Sequence, residues 1–427
     1  MTESHLKHGR SLLMVAFHFP PCQGSSGLQR TLAFAKFLPR YGWSPLVLTA
    51  AAKAYSQVSH NQIPDIPSGV SVIRAFALDT ARHLSFKGRY PGWMGLPDRW
   101  VSWIPGALLH GWMLIRRHQP SVIWSTYPIA TAHLIAYFLH RLTGIPWVAD
   151  FRDPMVEVDP YTGQLYPSDP WLRRARSWIE SKTMESSSCS VFVSEGARKI
   201  CADRYPEVSR ATMKLIPNGY DEETFQRLGD PPRRRNPRAE TVLLHSGTLY
   251  PTPDRDPKDF FAAISDLKKS GKISANTLHV VLRATGYDER YRLDIEKLGI
   301  QEIVTLEPSL PYADALREML SADGLLIFQG YTSNPAIPAK LYEYLRARRP
   351  IFAMAHGAGD TAGLLSAVGV GRIAPLDSRD EIASSLLAFL DDIHQGNALV
   401  LPLERLTQLT RESRAAELAN VLEDVAR

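Results

Sequence analysis

Lys340 and Glu343 stand three residues apart in the stretch SNPAIPAKLYEYLRARRP, which runs from Ser333 to Pro350. A loop of small residues with two prolines leads into a helical pattern, so both side chains fall in the first turns of a predicted helix. One interpretation is an ordinary ion pair on a helix surface. The other is a binding site, because a helix N-terminus and a lysine attract an anion and a carboxylate accepts hydrogen bonds from a vicinal diol.

A second candidate anion site follows the first apolar run, in HFPPCQGSSGLQR. The residues that open the predicted helix there are Gly24, Ser25, Ser26 and Gly27. Free backbone N–H groups and the helix dipole favour an anion at this point, and a plain N-cap by Ser25 or Ser26 is the alternative. The segment is neither a Walker A loop nor GxGxxG, which disfavours a nicotinamide cofactor.

Charged residues follow another apolar run, in VADFRDPM, where Asp150, Arg152 and Asp153 should emerge at the end of a strand. A structural ion pair between Arg152 and one aspartate is one interpretation. The other is a site for an acceptor hydroxyl, oriented by a carboxylate that Arg152 holds in place. His18, at the end of the first predicted strand, is the histidine best placed to contact a ligand bound at either site.

The stretch TVLLHSGTLYPTPDRDPKDF begins the second half of the pattern. Gly247 and Thr248 follow its strand, so backbone can approach a ligand closely there. Asp254-Arg255-Asp256 is a D-x-D sequence, but Asp256 before Pro257 is typical of a helix N-cap. We therefore predict no metal at this place, and we expect that Arg255 reaches a phosphate.

Short apolar runs alternate with amphipathic helices along the whole chain, which predicts parallel sheets covered on both faces. Two helical patterns end at Gly42 and Gly144, in the position that favours a left-handed residue. The proline- and arginine-rich segment LGDPPRRRNPRAE reads as a linker. We predict two doubly wound α/β domains, at 1–227 and 241–400, joined by a linker at 228–240. The helical run at 401–427 is expected to pack on a surface, with the N-terminal domain as one candidate.

Composition narrows the class of protein. The chain has 427 residues, a formal charge of +5 and a pI of about 9.0. This charge is too low for a dedicated nucleic-acid binder but suits anionic small molecules or an anionic membrane surface. Three cysteines without metal or CxxC spacing indicate a reducing compartment. No segment has membrane-spanning length, so we expect a cytoplasmic protein, with possible contact at the inner face of the membrane.

The segment from Arg82 to Gln119 combines four tryptophans with six arginines and lysines. One interpretation is a core helix preceded by a long, partly buried loop. The other is an interfacial patch, because tryptophan and arginine together suit the depth of lipid headgroups. Both hold if the helix belongs to the core and the loop before it is interfacial.

These features together carry a resemblance. GSSG after the first strand, VADFRDP, GTLYP and NPAIPAKLYEYLRARRPI recur in the retaining glycosyltransferases of the GT-B fold, in which two Rossmann-like domains face a central cleft. The chain looks closest to the large family-four group that acts in bacterial polysaccharide synthesis. The resemblance covers nearly the whole chain, and P-A-K-L-Y-E-Y-L with the following R-P-I is its most specific element.

The resemblance implies roles for matching residues. Glu343 would accept hydrogen bonds from the ribose of a nucleoside-diphosphate sugar, and Lys340 would meet the diphosphate. Backbone N–H groups near Ile337, Ala339 and Lys340 would face the same diphosphate. The acceptor would be a sugar or a lipid-linked sugar, no cofactor or metal would be needed, and a leaving diphosphate oxygen would take the acceptor's proton.

Two positions depart from the family's pattern. Pro335 stands eight residues before Glu343, where the group often has a second glutamate, and Thr248 stands where it often has an arginine. Sugar specificity is therefore expected from the loop from Gln329 to Asn334, and from Ser333 and Asn334 in particular. Two alternatives stay open: a nucleotide-sugar epimerase of the same fold, and a non-catalytic scaffold that binds nucleotide sugars.

Overall fold

The computed structural model describes residues 10–23, 26–159, 162–229 and 240–427. Two compact units divide the chain: one contains residues up to Asn218 together with Arg411–Arg427, and the other is Gly219–Thr410. No helix among the described residues is long and apolar enough to cross a membrane.

The strands of the first unit are β1 (Arg10–Val15), β2 (Trp43–Ala50), β3 (Ser71–Ala75), β4 (Val122–Thr126), β5 (Trp147–Arg152), β6 (Glu157–Val158), β7 (Leu165–Tyr166), β8 (Cys189–Phe192) and β9 (Met213–Leu215). Its helices are α1 (Ser26–Phe37), α2 (Thr80–His83), α3 (Trp103–His118), α4 (Ala130–Thr143), α5 (Pro170–Ser186), α6 (Glu195–Arg204) and, from the end of the chain, α15 (Arg411–Val425).

The strands of the second unit are β10 (Thr241–Ser246), β11 (Leu278–Arg283), β12 (Val304–Glu307), β13 (Gly324–Gln329), β14 (Ile351–Ala355) and β15 (Arg372–Ala374). Its helices are α7 (Glu222–Leu228), α8 (Lys258–Lys269), α9 (Asp288–Leu298), α10 (Tyr312–Ser321), α11 (Lys340–Ala347), α12 (Asp360–Val368), α13 (Arg379–Gln395) and α14 (Leu403–Leu406).

Each unit is built on a parallel sheet. Among the described residues, the first sheet has the strand order β3-β2-β1-β4-β5-β8-β9 and the second has the order β12-β11-β10-β13-β14-β15. Strands β4 and β13 are buried along their whole length, because helices cover both faces of each sheet. These are the doubly wound α/β domains that the alternating pattern predicts, which confirms the predicted fold class.

Helix ends follow the sequence signals. Gly42 (φ 80°) and Gly144 (φ 71°) adopt the left-handed conformation at the ends of the two predicted helical runs. A residue without Cβ takes this conformation at little cost, and its N–H then bonds a carbonyl of the last turn. In both sheets, the order of the strands reverses beside the first strand of the unit, between β1 and β4 and between β10 and β13. Ligands of such folds bind outside the carboxyl ends of the strands at this point.

The division into units differs from the predicted bounds at two places. Helix α7 belongs to the second unit, where Arg346 holds Glu222 through two hydrogen bonds of 2.6 and 2.9 Å. Helix α15 belongs to the first unit, where Glu412 pairs with Arg40, while residues 401–410 stay with the second. Residues 230–239 of the predicted linker lie outside the described part of the chain.

Candidate functional site

The loops that follow β10 and β13 bring several predicted residues of the second unit together. Gly247, directly after β10, has a φ of +126°, and a Cβ built on it would lie 2.6 Å from the Lys340 Nζ atom. Lys340 is the first residue of α11, the helix that follows β13. The absence of a side chain at Gly247 therefore makes room for the lysine head group at the end of β10. We call the set Gly247, Arg255, Lys340 and Glu343 the anion site.

Two cations lie close together in the anion site. Burial, and then the charge of Arg255, lower the pKa of Lys340 to about 7, while Glu343 opposes the shift. The Arg255 guanidinium lies 5.5 Å from the centre of the Tyr250 ring, and its Nε is 3.4 Å from Asp254 Oδ2. Among the described residues, this buried Nε has no hydrogen-bond partner. Neighbouring cations that are removed from water favour an anionic ligand, because the anion relieves their mutual repulsion.

Helix α11 supplies the remaining features of the anion site. No side chain caps its N-terminus at Ala339, and the N–H groups of Leu341 and Tyr342 donate to the carbonyls of Pro338 and Ala339 at 2.9 and 3.3 Å. Ile337 is half-buried against the apolar cluster under the helix. One turn on, Glu343 is 9% exposed and its Oε1 accepts a 2.7 Å hydrogen bond from the Tyr312 hydroxyl. A carboxylate and a cation are thus held on one short helix.

The loop after β13 is bonded to the loops on either side of it. The Ser333 hydroxyl donates to Asp254, and the Gly330 N–H donates to the Asp254 carbonyl at 2.5 Å. On the other side, the Asn334 amide lies 3.2 Å from His356 Nδ1, in the loop after β14. Both residues predicted to read the sugar therefore also hold the loop in place.

The D-x-D sequence is engaged within the protein. Asp254 bonds the loop after β13, and Asp256 accepts the Lys258 N–H at 3.2 Å, so it satisfies a donor at the start of α8. The helix begins at Lys258, with Pro257 at the N-cap position, one residue later than the sequence indicates. Within the described residues, no group of three or more histidine, cysteine, aspartate and glutamate side chains could hold a metal ion. Thr248 faces Gly286 in the loop after β11.

The predicted residues of the first unit lie at the carboxyl ends of β1 and β5. Asp150 is fully buried, and both of its oxygens accept from Arg30, at 2.8 and 2.9 Å. Arg30 also donates to the carbonyls of Ile216 and Pro217, and Thr126 donates to Asp150 at 3.1 Å. Asp150 is thus held in a buried ion pair, but with Arg30 of α1, which the sequence did not single out, whereas the structural interpretation from the sequence had Arg152 as the partner.

Arg152, Asp153 and His18 lie near this buried pair. Arg152 has a left-handed φ of 62° at a register shift in β5, and its guanidinium donates to the Tyr127 carbonyl at 3.4 Å. Desolvation and the Arg152 charge lower the pKa of His18 to about 4. His18 is therefore a neutral imidazole at neutral pH, and Arg152 is near enough to affect it. Asp153 is half-buried. Burial lowers the pKa of Arg152, and the charge of Asp153 acts in the opposite direction.

Glu180 is a further residue that the sequence did not indicate. It is fully buried in α5, and its carboxylate accepts from the Met155 N–H at 2.6 Å, from the Tyr205 hydroxyl at 3.1 Å and from Arg204. These bonds fix the segment that follows Asp153. An isolated glutamate in an amphipathic helix gives no signal of such a role, because its partners come from distant parts of the chain.

The glycine-serine loop is only partly described. Gly24 and Ser25 lie outside the described residues, and so does the side chain of Ser26, whose backbone begins α1. The Gly27 carbonyl accepts the Thr31 hydroxyl at 3.0 Å within the helix. Anion binding at this helix start stays a prediction.

Each unit has a parallel sheet, with candidate site residues where the strand order reverses. These features are those of two Rossmann-like domains. Comparison with known proteins identifies this architecture more closely. Residues 27–219 match the family model described as a glycosyl transferase 4-like domain. Residues 27–219 of this chain are therefore similar to a glycosyl transferase 4-like domain, and solved structures of the GT-B fold are similar to the chain as a whole, as the sequence resemblance indicates.

Several solved structures are similar over almost the whole chain. Sucrose-phosphate synthase from Thermosynechococcus elongatus matches with a TM-score of 0.66 and 14% identity, over 97% of this chain and 98% of that one. Anabaena HepE in complex with UDP and glucose matches with a TM-score of 0.63 and 14% identity, over 97% and 100%. A putative UDP-N-acetylglucosamine 2-epimerase from Listeria monocytogenes has a TM-score of 0.56 and 11% identity, over 97% and 96%.

At these identities the similarity shows the fold alone. No curated protein matches the sequence significantly.

Proposed function

We propose that the protein is a retaining glycosyltransferase that moves a sugar from a nucleoside-diphosphate sugar to a hydroxyl acceptor. The observation that carries the proposal is the pairing of Lys340 with Arg255 beside Gly247, where the strand order reverses. A diphosphate is a compact multiple anion that would neutralise both cations. In the similar HepE structure the bound molecules are UDP and glucose, which supports a donor of this class.

Each residue of the anion site has a distinct role in this proposal. Lys340 and Arg255 neutralise the charge that develops on the leaving diphosphate, together with the N-terminus of α11. Glu343 binds the ribose hydroxyls, with one oxygen oriented by Tyr312. Transfer then needs no metal ion, and we expect activity to be unchanged by chelators.

The first unit would bind the acceptor. His18 and Arg152 offer a neutral imidazole and a guanidinium at the carboxyl ends of β1 and β5. Asp150 is bonded to Arg30 and has a structural role in this proposal. Asp153 is therefore the carboxylate that we assign to the acceptor hydroxyl. The family resemblance favours a role in cell-surface polysaccharide or glycolipid synthesis.

The donor is tested by a thermal-shift screen against UDP-, GDP-, ADP- and TDP-sugars, because a ligand that binds only the native state raises its apparent stability. Radiolabelled transfer to candidate acceptors then follows with the stabilising donor. Lys340→Ala and Glu343→Ala should abolish transfer, and Lys258→Ala, at an exposed position at the start of α8, is the matched control. A folded Lys340→Ala protein that transfers sugar at the original rate would refute the assignment.

A same-fold epimerase is the second candidate, since a putative epimerase is among the similar structures. Incubation of the donor without any acceptor separates the two activities. An epimerase converts the nucleotide sugar to an isomer, whereas a transferase leaves it intact or slowly hydrolyses it. Binding without turnover across all acceptors would instead favour a non-catalytic scaffold.

For an acceptor presented at a membrane, we place the membrane contact on the hairpin loop from Phe86 to Trp93. Phe86 and Trp93 are 79% and 73% exposed, and Lys87 and Arg89 follow Phe86 in the loop. Between residues 80 and 119 the only acidic residue is Asp98, which is buried and bonded to Thr131.

Positive charge without exposed acid, beside exposed aromatic rings, suits anionic headgroups. By contrast, Trp103 at the start of α3 is fully buried, which agrees with the core interpretation for this part of the segment. Co-sedimentation with phosphatidylglycerol vesicles should fall for Trp93→Ala and stay constant for the exposed control Trp171→Ala. Equal binding of both variants and wild type, or no binding by wild type, would refute the contact.

A further inference from the structure

His245 is buried beside Lys340, at the end of β10, and has no part in the proposed transfer. Its ring is 1% exposed and packs edge-on against Phe328, with 5.1 Å between the ring centres. The Nδ1 atom lies 2.9 Å from the Leu326 carbonyl, which can only accept. The Nε2 atom lies 3.1 Å from the Gly247 carbonyl, which is a longer contact, and it also faces Lys340 Nζ. We place the single proton of the neutral ring on Nδ1, which has the shorter contact with a carbonyl, so that Nε2 is left as an acceptor for the lysine.

The acceptor atom of His245 faces the lysine. Lys340 Nζ lies 3.2 Å from His245 Nε2, so the lysine donates to the imidazole. Burial and the Lys340 charge lower the pKa of His245 well below its ordinary value, which keeps the ring neutral and able to accept. The other charged groups that affect the lysine are Arg255, from the loop after β10, and Glu343, on its own helix.

The position of the lysine head group is thereby determined from two sides. Gly247 leaves the space, since a Cβ there would meet Nζ at 2.6 Å, and His245 supplies the bond that directs Nζ into it. An ammonium has three N–H donors, so one bond to His245 leaves two for an anion. A long, flexible side chain loses rotamer freedom when it binds, and a lysine that is already held loses less.

We propose that His245 is a positioning residue that holds the Lys340 ammonium above Gly247, ready to bind the diphosphate of the ligand. The inference rests on the proposed donor site. His245 lies outside the loop and helix that carry the family resemblance. Its neutral ring, by holding Lys340, increases the affinity of the site for a diphosphate.

Two substitutions separate positioning from packing. His245→Asn keeps an amide donor for the Leu326 carbonyl but loses the acceptor for Lys340. His245→Gln reaches further and keeps an acceptor near Lys340, but loses the Leu326 bond. His279→Asn is the matched control, because His279 is a histidine of the adjacent strand that bonds Thr305 at 2.9 Å.

The probe is inorganic pyrophosphate, which reports on the diphosphate position without any choice of base or sugar, titrated by calorimetry into the full-length chain. We expect His245→Asn to weaken binding about tenfold, the effect of losing one charge-assisted hydrogen bond. His245→Gln should stay within roughly threefold of wild type, as one neutral hydrogen bond is replaced, and His279→Asn should not differ from wild type. Each variant's fold is checked by circular dichroism and thermal unfolding.

The outcomes are distinguishable. Unchanged affinity in folded His245→Asn overturns the inference, and so does an equal loss in both His245 variants, which indicates packing alone. If His245→Asn does not fold, the Gln variant decides: retained affinity supports positioning, and a loss as large as that of Lys340→Met overturns it. Wild-type protein that binds neither pyrophosphate nor any nucleoside diphosphate refutes the proposed donor site itself, and the inference with it.

Discussion

Replacing Asp150 with asparagine tests whether this carboxylate is structural or reacts with the acceptor. The substitution keeps the shape of the side chain but removes the charge that faces Arg30, whose side chain is only 5% exposed. Two charge-assisted bonds of 2.8 and 2.9 Å are affected, and an asparagine amide cannot accept both. The guanidinium would keep its bonds to the Ile216 and Pro217 carbonyls, but its charge would be buried without a counter-ion.

Breaking a buried ion pair by removing one partner costs about 3–5 kcal/mol. Because the pair lies in the first unit, the loss should appear as faster hydrogen exchange in peptides from β4 and β5, with β10 and β13 unchanged. Asp153→Asn is the matched control, since Asp153 is half-buried and lies three residues on. Its unfolding free energy should change by less than about 1 kcal/mol.

A double substitution strengthens the test. Arg30→Met with Asp150→Asn removes both charges. The double variant should lose less unfolding free energy than the sum of the two single variants, because it leaves no buried charge without a partner. The reasoning would be refuted if Asp150→Asn kept wild-type stability and exchange while transfer fell by roughly a hundredfold or more, the loss expected for a residue that assists proton transfer.

Three further predictions concern the anion site. Diphosphate affinity should fall by about tenfold per pH unit above about 7, because Lys340 loses its proton there in the free protein and must regain it when the diphosphate binds. In Lys340→Met, the affinity should change with pH only as far as the diphosphate itself gains or loses protons. Gly330→Ala should displace the loop after β13, since its Cβ would lie 1.9 Å from a backbone carbonyl, and should abolish nucleotide binding; Gly357→Ala, with open space, should not. Tyr312→Phe should weaken UDP binding several-fold through Glu343 while pyrophosphate affinity stays constant, and equal losses for both ligands would contradict the ribose assignment.

The fold was readable from the sequence because its signals are local. Near-continuous apolar runs such as GLLIFQG become fully buried parallel strands, and Gly42 and Gly144 end helices through a backbone conformation that glycine adopts at little cost. The order of the strands is not readable from local patterns, and it comes from the structure alone. Long-range contacts decide which unit α7 and α15 belong to. The composition of the sequence near the linker does not reveal those contacts.

The candidate site was readable only in part. Lys340 and Glu343 stand on a helix that periodicity reveals, but the bonds of Lys340 to His245 and of Asp150 to Arg30 join residues 95 and 120 positions apart. A histidine inside an apolar strand gives the same pattern whether it is a packed core residue or a hydrogen-bond partner. The same holds for Arg30, which lies within an ordinary amphipathic helix.

The loop where sugar specificity is expected shows why a missing residue need not mean a missing function. Pro335 cannot supply the carboxylate of the family's pattern, yet hydrogen bonds hold the loop around it in place. Gln329 is 2% exposed, and its amide nitrogen donates to the carbonyls of Ser333 and Ala336 at 2.9 and 3.4 Å. Since Ser333 is also bonded to Asp254, a substitution at Ser333 changes the position of the loop as well as its chemistry.

A change of sugar preference in Ser333→Ala would therefore not prove direct contact. Asp254→Asn provides the comparison, because it weakens the same bond from the other side without altering the loop's own side chains. If both variants change preference in the same way, the loop's position selects the sugar; if Ser333→Ala alone does, the hydroxyl contacts the sugar itself.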